Sequence, residues 1–434
     1  MLSIQGAPFA YGQGQGIIQR NPTAPAPDHL MLLTASQIED FLQVCSTKRC
    51  RVAGLIVIGG GPLSHPMISA LSMGQPIVVI SSEQARAIAD QAELVIDGGT
   101  GSIKTVEQSC LPPTTVTPEP PQTGTPIQTA DGQAVALRVS IGTLESAQSA
   151  VENGATAIGL LRSECFYPQD GRQPAVDFYA EIFGQICRIA QGLKVAVRLL
   201  DIAPDKLPPW LDSTSAQQSP LGLRGVRLYD KEPIRSVVHA QVAALEQLAS
   251  QYDVSILLPF ITCLEEFLER RNQIEDLLLS PMAVGAMAET PIAVLSMGEL
   301  LQHTSLVGIG CNDLMQYLFA ADRDIAEVGA LLNPYHPALF RLLHQAAQSA
   351  GEDIDRIHLC GLLSQVPGVL PALLGLGFRA FSVEPRLLPY LAEVVRNTDT
   401  DIAAAQAMAV CAAADARDVR TLLGLAPGSA WALG

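Results

Sequence analysis

Charge is scarce in this chain. Only 16% of its 434 residues are charged, and the 27 basic side chains are outnumbered by 43 acidic ones, for a formal net charge of -16. That balance argues against nucleic acid or an anionic membrane as partner, because both are held through clustered Lys and Arg. No apolar run reaches the ~18 residues of a membrane span. The opening Met1-Leu-Ser-Ile-Gln-Gly lacks the charged and apolar regions of a secretory leader. The nine cysteines are odd in number and never fall as Cys-x-x-Cys. Together these absences lead us to expect a reduced, cytoplasmic protein.

What the chain does have is apolar residues, 48% of the total, and enough length for two or three domains. Such a composition suits an α/β fold whose parallel strands are covered on both faces. Residues 1–110 read as a small β/α domain, with strands at 2–4, 17–18, 30–33 and 95–97 and a helix at 35–45. Within it, residues 52–80 run strand, Gly-rich loop, helix, Gly-Gln-Pro turn, strand. Ser64 and His65 fall at the loop-to-helix junction, where free N–H groups favour phosphate. A histidine there is either a surface residue beside a turn or a nucleophile that carries a phosphoryl group. Residues 111–127, rich in Pro and Thr, read as an interdomain linker.

Residues 128–434 turn into repeating strand–helix units. Candidate strands lie at 135–141, 157–161, 195–200, 224–228, 254–259, 283–288, 306–309 and 357–359, with 380–383 as a further candidate. Eight parallel strands with helices outside predict a (β/α)8 barrel of TIM type. In such a barrel the strand ends share one rim, and polar residues gather at these. Arg162 and Glu164 follow the second candidate strand, and Arg198 and Asp201 the third. Arg224 and Arg227 mark the fourth, Glu289 ends the sixth, Asn312 and Asp313 the seventh, and Cys360 the eighth. Glu289 and Asp313 suffice to hold one Mg2+ completed by waters and substrate oxygens. The arginines imply an anionic ligand; the plain alternative is that each is paired with a neighbouring acid.

These motifs resemble the PEP-utilising enzyme family, most closely its enzyme I branch. The resemblance rests on Gly59-Gly60, Ser64-His65 and Gly74 in the first part of the chain. In the second part it rests on Gly159-Leu-Leu-Arg-Ser-Glu164, Arg198-Leu-Leu-Asp-Ile-Ala-Pro-Asp-Lys206, Leu221-Gly-Leu-Arg-Gly-Val-Arg227, Met287-Ala-Glu-Thr-Pro291, Gly310-Cys-Asn-Asp-Leu-Met-Gln-Tyr317 and Cys360-Gly361. It implies a swivelling domain phosphorylated on His65, and a barrel that binds PEP through Arg162, Arg198, Asn312 and Arg323, with Arg224 in support. It also implies Mg2+ on Glu289 and Asp313, Cys360 as the acid that turns enolpyruvate into pyruvate, and a homodimer. Leu63, Leu71, Leu362, Ala203, Pro204 and Cys311 depart from the family pattern. The short stretch from Asn21 to His29 leaves no room for the helical module that docks a phosphocarrier protein in enzyme I. Two readings follow: a PEP-dependent phosphotransferase with an unknown acceptor, or a PEP-binding regulatory paralogue. A third, other PEP or pyruvate chemistry in the barrel, would not need His65.

Overall fold

The computed structural model describes residues 2–48, 51–59, 65–71, 73–106, 118–202, 207–211, 221–323, 325–329 and 331–425. Leu63, the segment 203–206 and the expected linker from 111 to 117 lie outside them. Two sheets organise the chain. The first contains β1 (Ser3–Gln5), β2 (Ala7–Ala10), β3 (Gln13–Gln19), β4 (His29–Thr34), β5 (Gly54–Ile58), β6 (Ile77–Ile80), β7 (Glu93–Asp97) and β8 (Ser102–Thr105), in the order β1-β8-β7-β3-β4-β5-β6-β2. Strands β3 to β6 are parallel neighbours. Their period-two side chains feed two cores. Met31, Leu33, Leu55, Val57, Ile77 and Val79 pack on the face of helices α1 (Gln37–Lys48) and α2 (His65–Leu71), while Leu30, Leu32, Ile56, Val78 and Ile80 meet Ile96 and Ile103 on the other.

The second sheet is a closed barrel, as expected. A short β9 (Ile127–Gln128) lies antiparallel on β10 (Ala134–Ile141). From β10 the strands run in parallel through β11 (Ile158–Arg162), β12 (Val195–Arg198), β13 (Val254–Ile261), β14 (Val284–Ala288), β15 (Val307–Gly310), β16 (Ile357–Cys360) and β17 (Ala380–Val383). Pairing of β10 with both β11 and β17 closes the ring. The last residues of the expected linker already belong to the barrel surface, since Thr123 donates to the Val151 carbonyl and Gly124 to that of Ala155.

One expected strand is not a strand. Residues Gly225–Leu228 form a 3-10 turn, and β12 pairs directly with β13, Val195 opposite Val254, leaving no gap between them. Gly225 adopts φ +52°, outside the strand region, and a Cβ there would come within 2.6 Å of Phe260 Cβ. The eighth strand is Ala380–Val383 instead. Glu289 therefore follows the fifth barrel strand, Asn312 and Asp313 the sixth, and Cys360 ends the seventh.

The two sheets meet through α2 and the turn after it. Arg386 Nη1 donates to the Met73 carbonyl at 2.6 Å. Gly74, at φ +66°, lies so close that a Cβ would stand 2.6 Å from Arg386 Cβ. Tyr11 stacks on Tyr390 with ring centroids 6.5 Å apart. Beyond the barrel the chain continues as two helices, Thr400–Ala412 and Ala416–Leu422. No helix among the described residues is long and apolar enough to cross a membrane.

Candidate active site

The rim of the barrel holds a cavity of about 300 Å³. Arg162, Arg198, Glu289, Asn312, Asp313, Arg323 and Cys360 all line it, so seven of the nine expected site residues converge. Arg224 lies behind this wall, buried under Asp313. His65 opens α2, whose Ile68, Ser69 and Leu71 line the same cavity from the first sheet.

The arginines divide by their partners. Arg198 is locked by acids: Nη2 bonds Glu164 and lies 3.2 Å from Asp201, and Nη1 lies 3.4 Å from Glu289. Burial opposes its charge, but these carboxylates hold it protonated. Arg224 reaches Asp313 through Nη1 (3.3 Å) and Nη2 (3.4 Å), and Tyr317 Oη at 3.0 Å. Its guanidinium also stacks over the Phe260 ring, 4.6 Å from the centroid. Arg323 Nη1 is 3.6 Å from Asp313. Arg162 differs: it faces the cavity, makes no ion pair with any described residue, and its buried Nε has no hydrogen-bond partner. Arg227 turns away to Glu266 and Thr262 and takes no part.

Glu289 is positioned by backbone as much as by charge. Phe260, at φ +57°, donates its N–H to Glu289 Oε2 at 2.9 Å. That left-handed conformation is strained for Phe and is held by the packing around it. Gly310 leaves the carboxylate room, since a Cβ there would lie 2.6 Å from Glu289 Oε1. Burial raises the Glu289 pKa, and the neighbouring charge of Asp313 raises it further. Two hard carboxylates that repel one another on a cavity wall are a fit for Mg2+, which takes few protein oxygens and keeps water or substrate for the rest. Among the described residues no group of three or more metal-binding side chains exists. Asn312 Oδ1 accepts from Leu362 N at 2.8 Å, which leaves its amide to donate elsewhere.

Cys360 is almost wholly enclosed by Leu160, Ala196, Leu257 and Met287. Burial pushes its thiol up to about 12, so it stays protonated at neutral pH. One lining residue escaped the sequence reading: Glu384, which follows the eighth strand as Glu289 follows the fifth. The strand-end rule would have found it had 380–383 been taken as a barrel strand. Its N–H donates to Gln365 Oε1 at 2.8 Å, and burial pushes its pKa from 4.5 to about 7 against the pull of Arg162. The folded protein then binds a proton here that the unfolded chain releases, so this group favours folding on the acid side and disfavours it as pH rises through that window. We expect the urea midpoint to fall as pH rises from about 4.5 to about 7 and to level off above that, and Glu384→Gln to flatten the fall.

A closed parallel barrel with an acid pair and several arginines at the C-terminal rim of its strands defines an α/β barrel protein of TIM type with its site at that rim. The comparisons place it more closely. Residues 121–400 match the PEP-binding domain of PEP-utilising enzymes, and residues 33–101 match the mobile domain of PEP-utilising enzymes. The chain belongs to the PEP-utilising enzyme family. It is 30% identical over 369 residues to a phosphoenolpyruvate-protein phosphotransferase of Haloferax volcanii, covering 81% of this chain and 64% of that protein. It is 29% identical to the phosphotransferase of Bacillus subtilis, over 76% of this chain and 61% of the relative. Against a multiphosphoryl transfer protein of Xanthomonas campestris it is also 29% identical, over 78% of this chain and 42% of the relative. The chain thus spans between 42 and 64% of the length of these relatives.

Proposed function

We propose that this protein transfers the phosphoryl group of PEP to His65 and releases pyruvate. The observation that carries this reading is that α2, the helix opened by His65, lines the same cavity as Arg162, Arg198, Glu289, Asp313 and Cys360. Arg162, which faces the cavity and makes no ion pair among the described residues, takes the substrate anion, with Arg198, Arg323 and the Asn312 amide beside it. Arg224 supports them from behind by orienting Asp313. Glu289 and Asp313 hold Mg2+, whose charge offsets that of the phosphate. Phosphoryl transfer is largely positioning, and a histidine near neutrality suits a reversible carrier. Cys360 then protonates the enolpyruvate carbon from within its apolar walls. A phosphocarrier protein as final acceptor and a homodimer as the working form belong to the same proposal.

The test is transfer of label from radioactive PEP to the purified protein with Mg2+, beside His65→Ala. Acid-labile label on the wild type alone, with one pyruvate per labelled site, is the expected result. The second reading, a PEP-binding regulatory paralogue, draws on the apolar Leu71 and Leu362 in the cavity wall. It predicts PEP binding by calorimetry with no label.

A further inference from the structure

Below the cavity floor the barrel interior contains a charge that nothing described above uses. Arg138 lies on β10 two residues before Ser140, which lines the cavity. Its side chain therefore points to the same face, one pleat deeper. Register places it opposite Ser382 on β17, and Ser382 opposite Cys360 on β16. The chain clears space for this group. A Cβ on Gly159 would lie 2.1 Å from Ser382 Oγ and 2.9 Å from Arg138 Cβ, and one on Gly308 would lie 3.1 Å from His358 Nε2.

Arg138 has no hydrogen bond or ion pair among the described residues, unlike Arg198 and Arg224. Ser382 Oγ and both ring nitrogens of His358 are buried without a hydrogen-bond partner. Burial and the nearby Arg138 charge push the His358 pKa down to about 3, so the ring is neutral and Arg138 supplies the positive charge of this layer. Arg138 is only partly buried, but no carboxylate among the described residues pairs with it, and the register sets Cys360 two strands away on the same layer. The anion that can form here is transient: the sulfur of Cys360.

We propose that Arg138 is a positioning residue for Cys360, stabilising its thiolate from below while the Ser382 hydroxyl turns toward the sulfur. The inference rests on the role proposed above for Cys360. In that step the S–H bond of Cys360 breaks and a C–H bond forms at the methylene carbon of enolpyruvate. The enolate π pair makes the new bond, the oxygen becomes the pyruvate carbonyl, and the S–H pair stays on sulfur. The other charged or titratable groups around the sulfur are Glu289 after β14, which opposes a thiolate, and Arg198 at the end of β12, already bound to three carboxylates. His358 lies on the same strand and Cys311 follows β15; both are neutral.

The experiment follows alkylation of Cys360 by iodoacetamide against pH, read by mass spectrometry of the Cys360 peptide, with solvent deuterium exchange into the pyruvate methyl group and PEP titration by calorimetry. Arg138→Met should shift the alkylation profile about one pH unit upward, a roughly tenfold loss of rate at fixed pH. Methyl exchange slows with it, PEP affinity holds within about twofold, and Arg138→Lys restores both rates. Arg138→Gln carries the same expectation and serves if the Met variant does not fold. An unchanged alkylation profile in a folded neutral variant overturns the proposal. So does a loss of PEP affinity with the thiol unaffected, which would make Arg138 a ligand contact. Alkylation needs no turnover: a wild type without label or methyl exchange sinks the phosphotransferase reading, while the thiol profile still decides the part played by Arg138.

Discussion

Arg198→Met should both unfold and disarm the barrel, whereas Arg162→Met should only disarm it. Arg198 is the shared cation of Glu164, Asp201 and Glu289, all buried. Removing it leaves three carboxylates with their mutual repulsion and little water, a loss of about 3–5 kcal/mol for a broken buried pair. Arg162 makes no ion pair among the described residues, and its acidic neighbour Glu384 is already pushed by burial toward the neutral form, so its loss strands no buried charge. Truncating a charged contact to a bound anion costs about 2–5 kcal/mol of affinity, roughly thirtyfold or more, and both variants should show it in calorimetry with PEP and Mg2+. Urea denaturation separates them: the midpoint drops for Arg198→Met and holds for Arg162→Met. Equal midpoints would mean that the carboxylate cluster is not held together by Arg198.

Cys360→Ala should slow deuterium exchange into the pyruvate methyl group by about 10²- to 10⁴-fold, the usual contribution of a positioned acid. PEP binding should hold, because Cys360 lines the cavity among apolar residues and pairs with none of the anion-binding arginines. That split matters. A fall in PEP affinity of the same size would assign Cys360 to substrate binding, and unchanged exchange would remove it from proton transfer altogether. Its neutrality at working pH is part of the argument, since a thiol buried to a pKa near 12 arrives at each turnover with its proton.

The rim acids and arginines were legible because the rule behind them is topological. Each follows an apolar run, and closing the barrel brings the runs' ends together whatever their exact number. The fourth strand misled for a local reason. Leu223, Val226 and Leu228 carry enough apolar character to imitate a strand, while the glycine at 225, whose φ of +52° bends the chain under Phe260, was outweighed by that apolar pattern. Glu384 was lost with the same miscount. Arg138 was hidden by a correct observation: Val135, Leu137, Val139 and Ile141 alternate as buried residues, which in an open sheet would put Arg138 in solvent. Only closure turns that face into the barrel interior. Residues 60–64, before His65, lie outside the described residues, so the departure at Leu63 has no structural counterpart.

If α2 carries the phosphoryl group as proposed, its seat on the barrel makes the carrier also the door. In the proposed cycle Ile68, Ser69 and Leu71 close one side of the cavity whenever His65 is at its loading station. PEP must be aboard before the door shuts, and pyruvate leaves after it opens. The two stations are therefore mutually exclusive, and an acceptor that engages His65 holds the barrel ajar for as long as it stays. Throughput then peaks at an intermediate acceptor concentration and declines above it, a brake built from geometry alone.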